Sequence, residues 1–269
     1  NPKTNRLTNS IIKDYHGKEE LIFLGPDENM TDQMIDWIST RSSIKKYRVG
    51  TSFISGKKLA GINHKYYGVT SLGVHQYLLK ALKFKNIGGN KSFRVKMSGG
   101  PDGDVAGNEL LNLINTFGKK VQIQCIQDGS GILYDPKGIS HTELKRLFKE
   151  TKGISHIKSS QLHEGGFVIH IRQTRELKKG IVEIFSRQYI KDSNEKNELT
   201  DIWINASEAN HYYHHFLHQL ETEVFLPCGG RPLSLNDNNW NDFMNEDTPS
   251  SEIIVEGANL YLSNFARNK

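Results

Sequence analysis

The chain has 269 residues, 36% hydrophobic and 9% aromatic, enough apolar material for a packed core and too much for wholesale disorder. Its 35 basic and 30 acidic side chains leave a formal charge of +5 and a pI near 9.0. The lysines stand singly or in pairs, as at Lys57-Lys58, Lys119-Lys120 and Lys178-Lys179. The basic balance therefore reads as a solvated surface and excludes a nucleic-acid footprint.

Cys125 and Cys228 are the only cysteines, each at the end of an apolar run, so no disulfide framework is expected and the compartment reads as reducing. The opening NPKTNRLTNS lacks an apolar signal core, and no run approaches membrane-spanning length. A cytoplasmic protein is expected, or one of the mitochondrial matrix if eukaryotic, with no membrane partner. Both ends fall in mid-pattern, which suggests a piece of a longer protein.

In chain order, LIFL at 21–24 predicts a short buried strand, broken by Gly25-Pro26. Thr31 caps a helical pattern through Met34, Ile35, Trp37 and Ile38 that ends near Gly50. A second helix runs from Thr70 with Leu72, Val74, Leu78, Leu79 and Leu82 inward, and 86–90 separates it from a strand at 92–97. A helix opens at Asp104, a strand follows at 121–126, then a turn-rich segment GSGILYDPKG and an amphipathic helix over 141–150. Between 151 and 200 only 166–171 alternates like a strand, and 191–198 is a polar connector. A helix over 206–220 precedes strands at 224–228 and 252–256. Strands alternating with helices predict an α/β fold: a Rossmann-like, doubly wound parallel sheet covered on both faces.

The most informative stretch is RVKMSGGPDGDVAGN at 94–108. Strand, glycine turn and helix in that order set bare backbone amides and a helix N-terminus where a pyrophosphate can sit. Pro101 replaces one glycine of the usual fingerprint, leaving Gly100-x-x-Gly103-x-x-Ala106. Asp128 closes the next strand about 22 residues after Ala106, where an acid accepts hydrogen bonds from the adenosine ribose. Asp102 and Asp104 lack companion metal ligands and read as caps, so no metal is expected there.

Beyond that turn, GPDEN at 25–29, YYGVTSLGV at 66–74, GGPDGDVAGN at 99–108 and IVEGANLYLS at 254–263 agree with one another, as do DGSGILYDPKG at 128–138 and FLPCGGRP at 225–232. Together they resemble the carboxy-terminal half of the large NAD-specific glutamate dehydrogenases, within the glutamate/leucine/phenylalanine/valine dehydrogenase superfamily. The resemblance implies residues 1–60 as the tail of the substrate domain and 61–269 as a dinucleotide-binding domain, with an insertion around 151–223. It implies NAD as cofactor and NAD-dependent oxidative deamination of L-glutamate to 2-oxoglutarate and ammonia, in a parent enzyme that is a homo-oligomer.

Position by position, it makes Asp27 the proton-shuttling acid and puts Thr70 and Asn259 at the nicotinamide end. Gly100, Gly103, Asp104 and Val105 face the pyrophosphate, Asp128 the ribose, and Cys228 and Gly229 the adenosine side. The family's catalytic lysine loop has no match upstream of Asp27, nor do the closing helices follow the EGAN strand, so this chain alone is expected to bind NAD without turnover. A dehydrogenase for another amino acid, or a non-catalytic nucleotide sensor, are the rival readings. His211, His214, His215 and His218 are spaced i, i+3, i+4, i+7 on one helical face, either a transition-metal site or an exposed, partner-facing stripe.

Overall fold

The structure is a computed structural model that describes residues 12–13, 16, 19–26, 30–56, 64–158, 160, 162–178, 180–191 and 196–269. They fall into two units, residues 1–69 and 70–269.

In the first unit β1 (Ile12–Lys13) pairs antiparallel with β2 (Glu19–Glu20), and α1 (Asp32–Ile44) and α2 (His64–Tyr67) follow. Thr31 caps α1 as its sequence predicts, its hydroxyl accepting from the Met34 amide at 3.3 Å. The helix stops at Lys45, before the expected end, because Lys46 turns to φ 61. LIFL does not form a buried strand: Leu24 makes a single parallel bridge to Ile54, and Leu21, Phe23 and Leu24 stay exposed. The small core here is Ile35, Phe53 and Ile54.

The second unit opens with α3 (Val69–Lys85), then β3 (Phe93–Ser98), α4 (Asp104–Phe117), β4 (Val121–Asp128), β5 (Gly131–Tyr134) and α5 (His141–Lys149). Three long strands follow, β6 (Phe167–Lys178), β7 (Ile181–Lys191) and β8 (Asn197–Asn205). Then come α6 (Ala206–His211), a π-turn (Tyr212–Phe216), α7 (Leu217–Gln219), β9 (Thr222–Pro227), α8 (Trp240–Phe243), the small ladder β10 (Met244–Asn245) and β11 (Thr248–Pro249), β12 (Ser251–Ile254) and α9 (Asn264–Arg267).

The sheet order is β12-β9-β3-β4-β5-β6-β7-β8. The first four strands are parallel and the rest run antiparallel, so an α/β Rossmann-like half continues into a meander. β5 lies inside the segment expected to be only turns. Its Ile132 and Leu133 are fully buried, and Asp128 caps the two-residue link that reverses the chain. Two cores sandwich the sheet. Val74, Leu78, Leu110, Leu113, Leu144 and Leu147 cover one face, and Leu217, Phe243, Tyr261 and Ala266 cover the other.

The face of α3 is rotated from its apolar pattern. Leu72 is exposed while Ser71 and His75 are buried. The reason is Glu109 of α4, fully buried, which accepts from Ser71 Oγ at 3.1 Å and contacts His75 Nδ1 at 2.8 Å. Asn112 adds a donor at 3.3 Å, so a polar clamp joins the two helices beside the apolar contacts of Val74 and Leu78. No helix among the described residues is long and apolar enough to cross a membrane.

Candidate functional site

From β3 the chain crosses by α4 to β4 on one side, and it later enters β9 on the other side of β3. The strand order thus reverses beside β3. In open α/β sheets ligands bind at the carboxyl ends of the strands flanking such a point. The exits of β3 and β9 meet there: Ser98 Oγ donates to Gly229 O at 2.5 Å, and the Cys228 amide to Ser98 O at 2.9 Å. Gly99 is left-handed (φ 95), and a Cβ on Gly229 would stand 2.8 Å from the Gly99 Cα. Only glycines let these two backbones touch.

The turn itself closes on the Gly103 amide, which donates to Gly100 O at 3.0 Å. Gly103 is the extended N-cap of α4 and brings no side-chain cap. Gly103 thus adds no capping side chain to the first turn of α4, with Asp104 and Val105, and the helix N-terminus and its dipole suit a phosphate. Gly107 was missed from the sequence although it extends the glycine series by four residues. A Cβ there would run into Pro101 O and come within 3.0 Å of Phe148.

Asp128 stands at the tip of β4, only 8% exposed. Its Oδ1 accepts from the Ser130 amide (2.7 Å), Ser130 Oγ (2.6 Å) and the Gly131 amide (3.2 Å), and its Oδ2 from the Ile154 amide (2.8 Å). Burial pushes its carboxyl above the usual range, against the bonds from Ser130 and Ile154 that favour the anion, with Asp102 adding to the rise. Oδ2 faces the glycine turn: a Cβ on Gly100 would meet it, and one on Gly153 would lie 2.9 Å away. One carboxylate thus joins the turn, the β4–β5 link and the loop at 153–155.

Cys228 is buried just past β9, and burial pushes its thiol well up. The loop after β12 packs on it, since a Cβ on Gly257 would reach its Sγ at 3.2 Å. The Gly257 and Ala258 amides donate to Pro227 O at 2.8 and 2.7 Å, and Asn259 follows, exposed. Thr70 lines an open groove of about 570 Å³ with Gly73, Val74, Tyr77, Val255 and Glu256. Thr70 and the loop carrying Asn259 therefore belong to the same end of the sheet as the glycine turn. Asp27 lies outside the described residues.

The four histidines do not converge. The π-turn at 212–216 adds a residue to the helical count and rotates the stripe apart. His211 stacks on His215 at 4.7 Å, His215 Nδ1 pairs with Asp242 at 2.7 Å, and His218 is buried against the Tyr261 hydroxyl at 3.0 Å. Burial pushes His218 down to about 4. No cluster of three metal-capable side chains occurs among the described residues. Instead the π-turn lends Tyr213, whose hydroxyl donates to Asp128 O at 3.0 Å while Gln127 Nε2 donates to Tyr213 O at 2.5 Å.

Comparison with known proteins places this arrangement. The chain is 34% identical over 258 residues to the NAD-specific glutamate dehydrogenase of Saccharomyces cerevisiae, covering 93% of this chain and 21% of that protein. To the NAD-specific glutamate dehydrogenase of Neurospora crassa it is 32% identical over 267 residues, covering 98% and 23%. The chain thus spans about a fifth of the length of the curated relatives it matches. Its fold superposes on the crystal structure of Plasmodium falciparum glutamate dehydrogenase with a TM-score of 0.55 at 16% identity, covering 91% of this chain and 41% of that one. Residues 60–269 match the Glutamate/Leucine/Phenylalanine/Valine dehydrogenase family, and the chain belongs to it.

Proposed function

We propose that this chain is the dinucleotide-binding part of an NAD-dependent glutamate dehydrogenase, which deaminates L-glutamate oxidatively to 2-oxoglutarate and ammonia. The observation that carries the reading is the glycine turn at the N-terminus of α4, set where β3 and β9 diverge and flanked by an acid at the tip of β4. The local residues fit such a cofactor: Gly103 opens α4 without a side-chain cap, and Asp128 Oδ2 faces the turn.

In this reading Gly100, Gly103, Asp104 and Val105 hold the pyrophosphate through amides and the helix dipole. Asp128 orients the ribose, Cys228 and Gly229 bracket the adenosine side, and Thr70 and Asn259 position the nicotinamide end. Asp27 exchanges the proton of the substrate nitrogen. NAD, when bound, supplies the hydride acceptor. The domain boundary near residue 60, the insertion at 151–223, a homo-oligomeric parent and a cytoplasmic or matrix location belong to the same proposal.

Isothermal titration of the purified 269-residue chain tests it. NAD should bind, at least about tenfold tighter than NADP, and glutamate-dependent NADH formation should be absent because the lysine loop has no counterpart here. Failure to bind NAD overturns the nucleotide reading, and turnover by the chain alone overturns the assignment of the missing loop. In the full-length parent, Asp27→Asn should lower kcat by orders of magnitude and leave NAD affinity unchanged; near-normal kcat removes Asp27 from the mechanism.

A further inference from the structure

Along the chain Asp128 is followed by Gly129, Ser130 and Gly131, with no cation before Lys137. The fold supplies one from a distant strand. β6 pairs with β7 in regular register up to His170–Phe185 and resumes at Thr174–Ile184, so residues 171–173 bulge out of the ladder. A bulge re-aims the side chains it carries. Arg172 sits at its centre, and its guanidinium lies over the Gly129 backbone: a Cβ on Gly129 would stand 3.0 Å from Nη2. Close packing of β5 on β6 brings the bulge there, since a Cβ on Gly131 would run into Ile169 O.

Tyr213 belongs to the same neighbourhood and feels the charge of Arg172. Tyr213, bonded through its hydroxyl to Asp128 O, is raised by burial and by the Asp128 charge and lowered by Arg172 and by Arg231. Arg172 and Arg231 are exposed, and among the described residues neither has an ion-pair partner. The tip of β4 therefore carries the Asp128 carboxylate with the Arg172 guanidinium over the next residue, and Asp102 of the glycine turn stands beside Asp128 at Gly100. An adenosine ribose held at Asp128 would have its 2′ position between opposite charges.

We propose that Arg172, delivered by the β6 bulge, is a specificity-determining residue that offsets the repulsion between Asp128 and a 2′-phosphate, so that the preference for NAD over NADP is a balance of the two. The inference rests on the nucleotide reading above. In that balance the acid sets the sign of the preference and the arginine limits its size. Removing the guanidinium exposes the full repulsion of Asp128, and screening by salt shrinks the contribution because the Arg172 side chain is exposed.

The test titrates NAD and NADP into the 269-residue chain and into Arg172→Gln and Arg172→Glu. Arg172→Gln should widen the NAD:NADP affinity ratio by about fivefold and Arg172→Glu further, with NAD affinity changed less than about twofold and the widening reduced at high salt. A ratio within about twofold of the parent chain in both variants overturns the inference, whether or not the two affinities fall together. If the parent chain binds neither dinucleotide, the nucleotide reading fails first; if it binds NAD and only the ratio is unmoved, the role of Arg172 alone is wrong.

Discussion

The parallel half of the sheet and its antiparallel continuation are held together differently. β3, β4 and β9 are buried on both faces over nearly their whole length. β6 starts buried and is exposed from Arg172 onward, while β7 and β8 bury only scattered positions. The inner strands are fixed by apolar burial and by buried polar clamps, the outer ones by ladder hydrogen bonds and by surface ion pairs such as Arg175–Glu183 at 2.6 Å. Chemistry that needs rigid backbone, the glycine turn and the meeting of Gly99 with Gly229, sits at the ends of the inner strands. The bulge of β6 and the π-turn instead reach back with single side chains, Arg172 and Tyr213, to shape the rim of that site.

The comparison breaks first if the buried clamp is dispensable. Glu109→Ala leaves Ser71, His75 and Asn112 without their acceptor in a closed helix–helix seam. Orphaned donors and a broken buried pair cost about 3–5 kcal/mol together, read as a fall in the denaturant midpoint. Glu109→Gln keeps an acceptor and should recover part of the loss; an Ala variant within 1 kcal/mol of the parent would show that α3 is held by its apolar contacts alone.

At the border of the two halves, Asp128→Ala removes the acceptor shared by the Gly131 and Ile154 amides, which are buried. A loss of about 2–3 kcal/mol is expected, smaller than at Glu109 because Asp128 already bears a desolvation cost. Hydrogen exchange separates this from a general effect: the Ser130 and Ile154 amides should exchange faster while those of β3 and β9 hold. Uniform acceleration across the sheet contradicts the idea of a local latch.

Lys96 gives the inner half a pH dependence above neutrality. It is fully buried on β3, donating to His218 O (3.0 Å), Leu220 O (2.7 Å) and Ser250 Oγ (2.7 Å), with the Phe225 and Phe243 rings at 5.3 and 5.0 Å. Burial pushes the ammonium from 10.5 down to about 7 in spite of those acceptors. Between these values the unfolded chain binds the extra proton, so stability rises with pH. From pH 7 to 8.5, below the titration of unfolded thiols, the gain is up to about 2 kcal/mol. Lys96→Met should flatten that slope, and an unchanged slope would mean that the ammonium stays charged in the fold.

How much of this was legible follows from the same contrast. Strands buried on both faces read as apolar runs, so β3, β4, β9 and β12 were visible to within a few residues, as were the glycine turn and Asp128. β7 and β8 carry Glu183, Arg187, Glu198 and Asp201 among their apolar residues, and nothing in that composition separates a half-wet strand from a loop. The π-turn left no mark in the histidine spacing, and its added residue undid the single face that spacing implied. Arg172 was unreadable for another reason: its neighbour Gly129 is 43 positions away in the chain, and only the bulge brings them together.

The smallest effect is expected where the outer strands look best stapled. Arg187 and Asp201 stand directly opposite on β7 and β8, and the guanidinium also donates to Asp201 Oδ2 through Nη2 at 2.7 Å. Both side chains are in reach of water, 28% and 50% exposed, so the attraction is screened and offsets little more than the entropy of holding two long side chains. The Arg187 guanidinium also lies 5.8 Å from the Phe185 ring, so part of any loss is packing that salt does not touch. Arg187→Ala should cost no more than about 1 kcal/mol, with part of that cost removed by 1 M salt. A loss above 2 kcal/mol, insensitive to salt, would show that the meander depends on this contact as the inner half depends on Glu109, and the division between buried and surface-held strands would then fall.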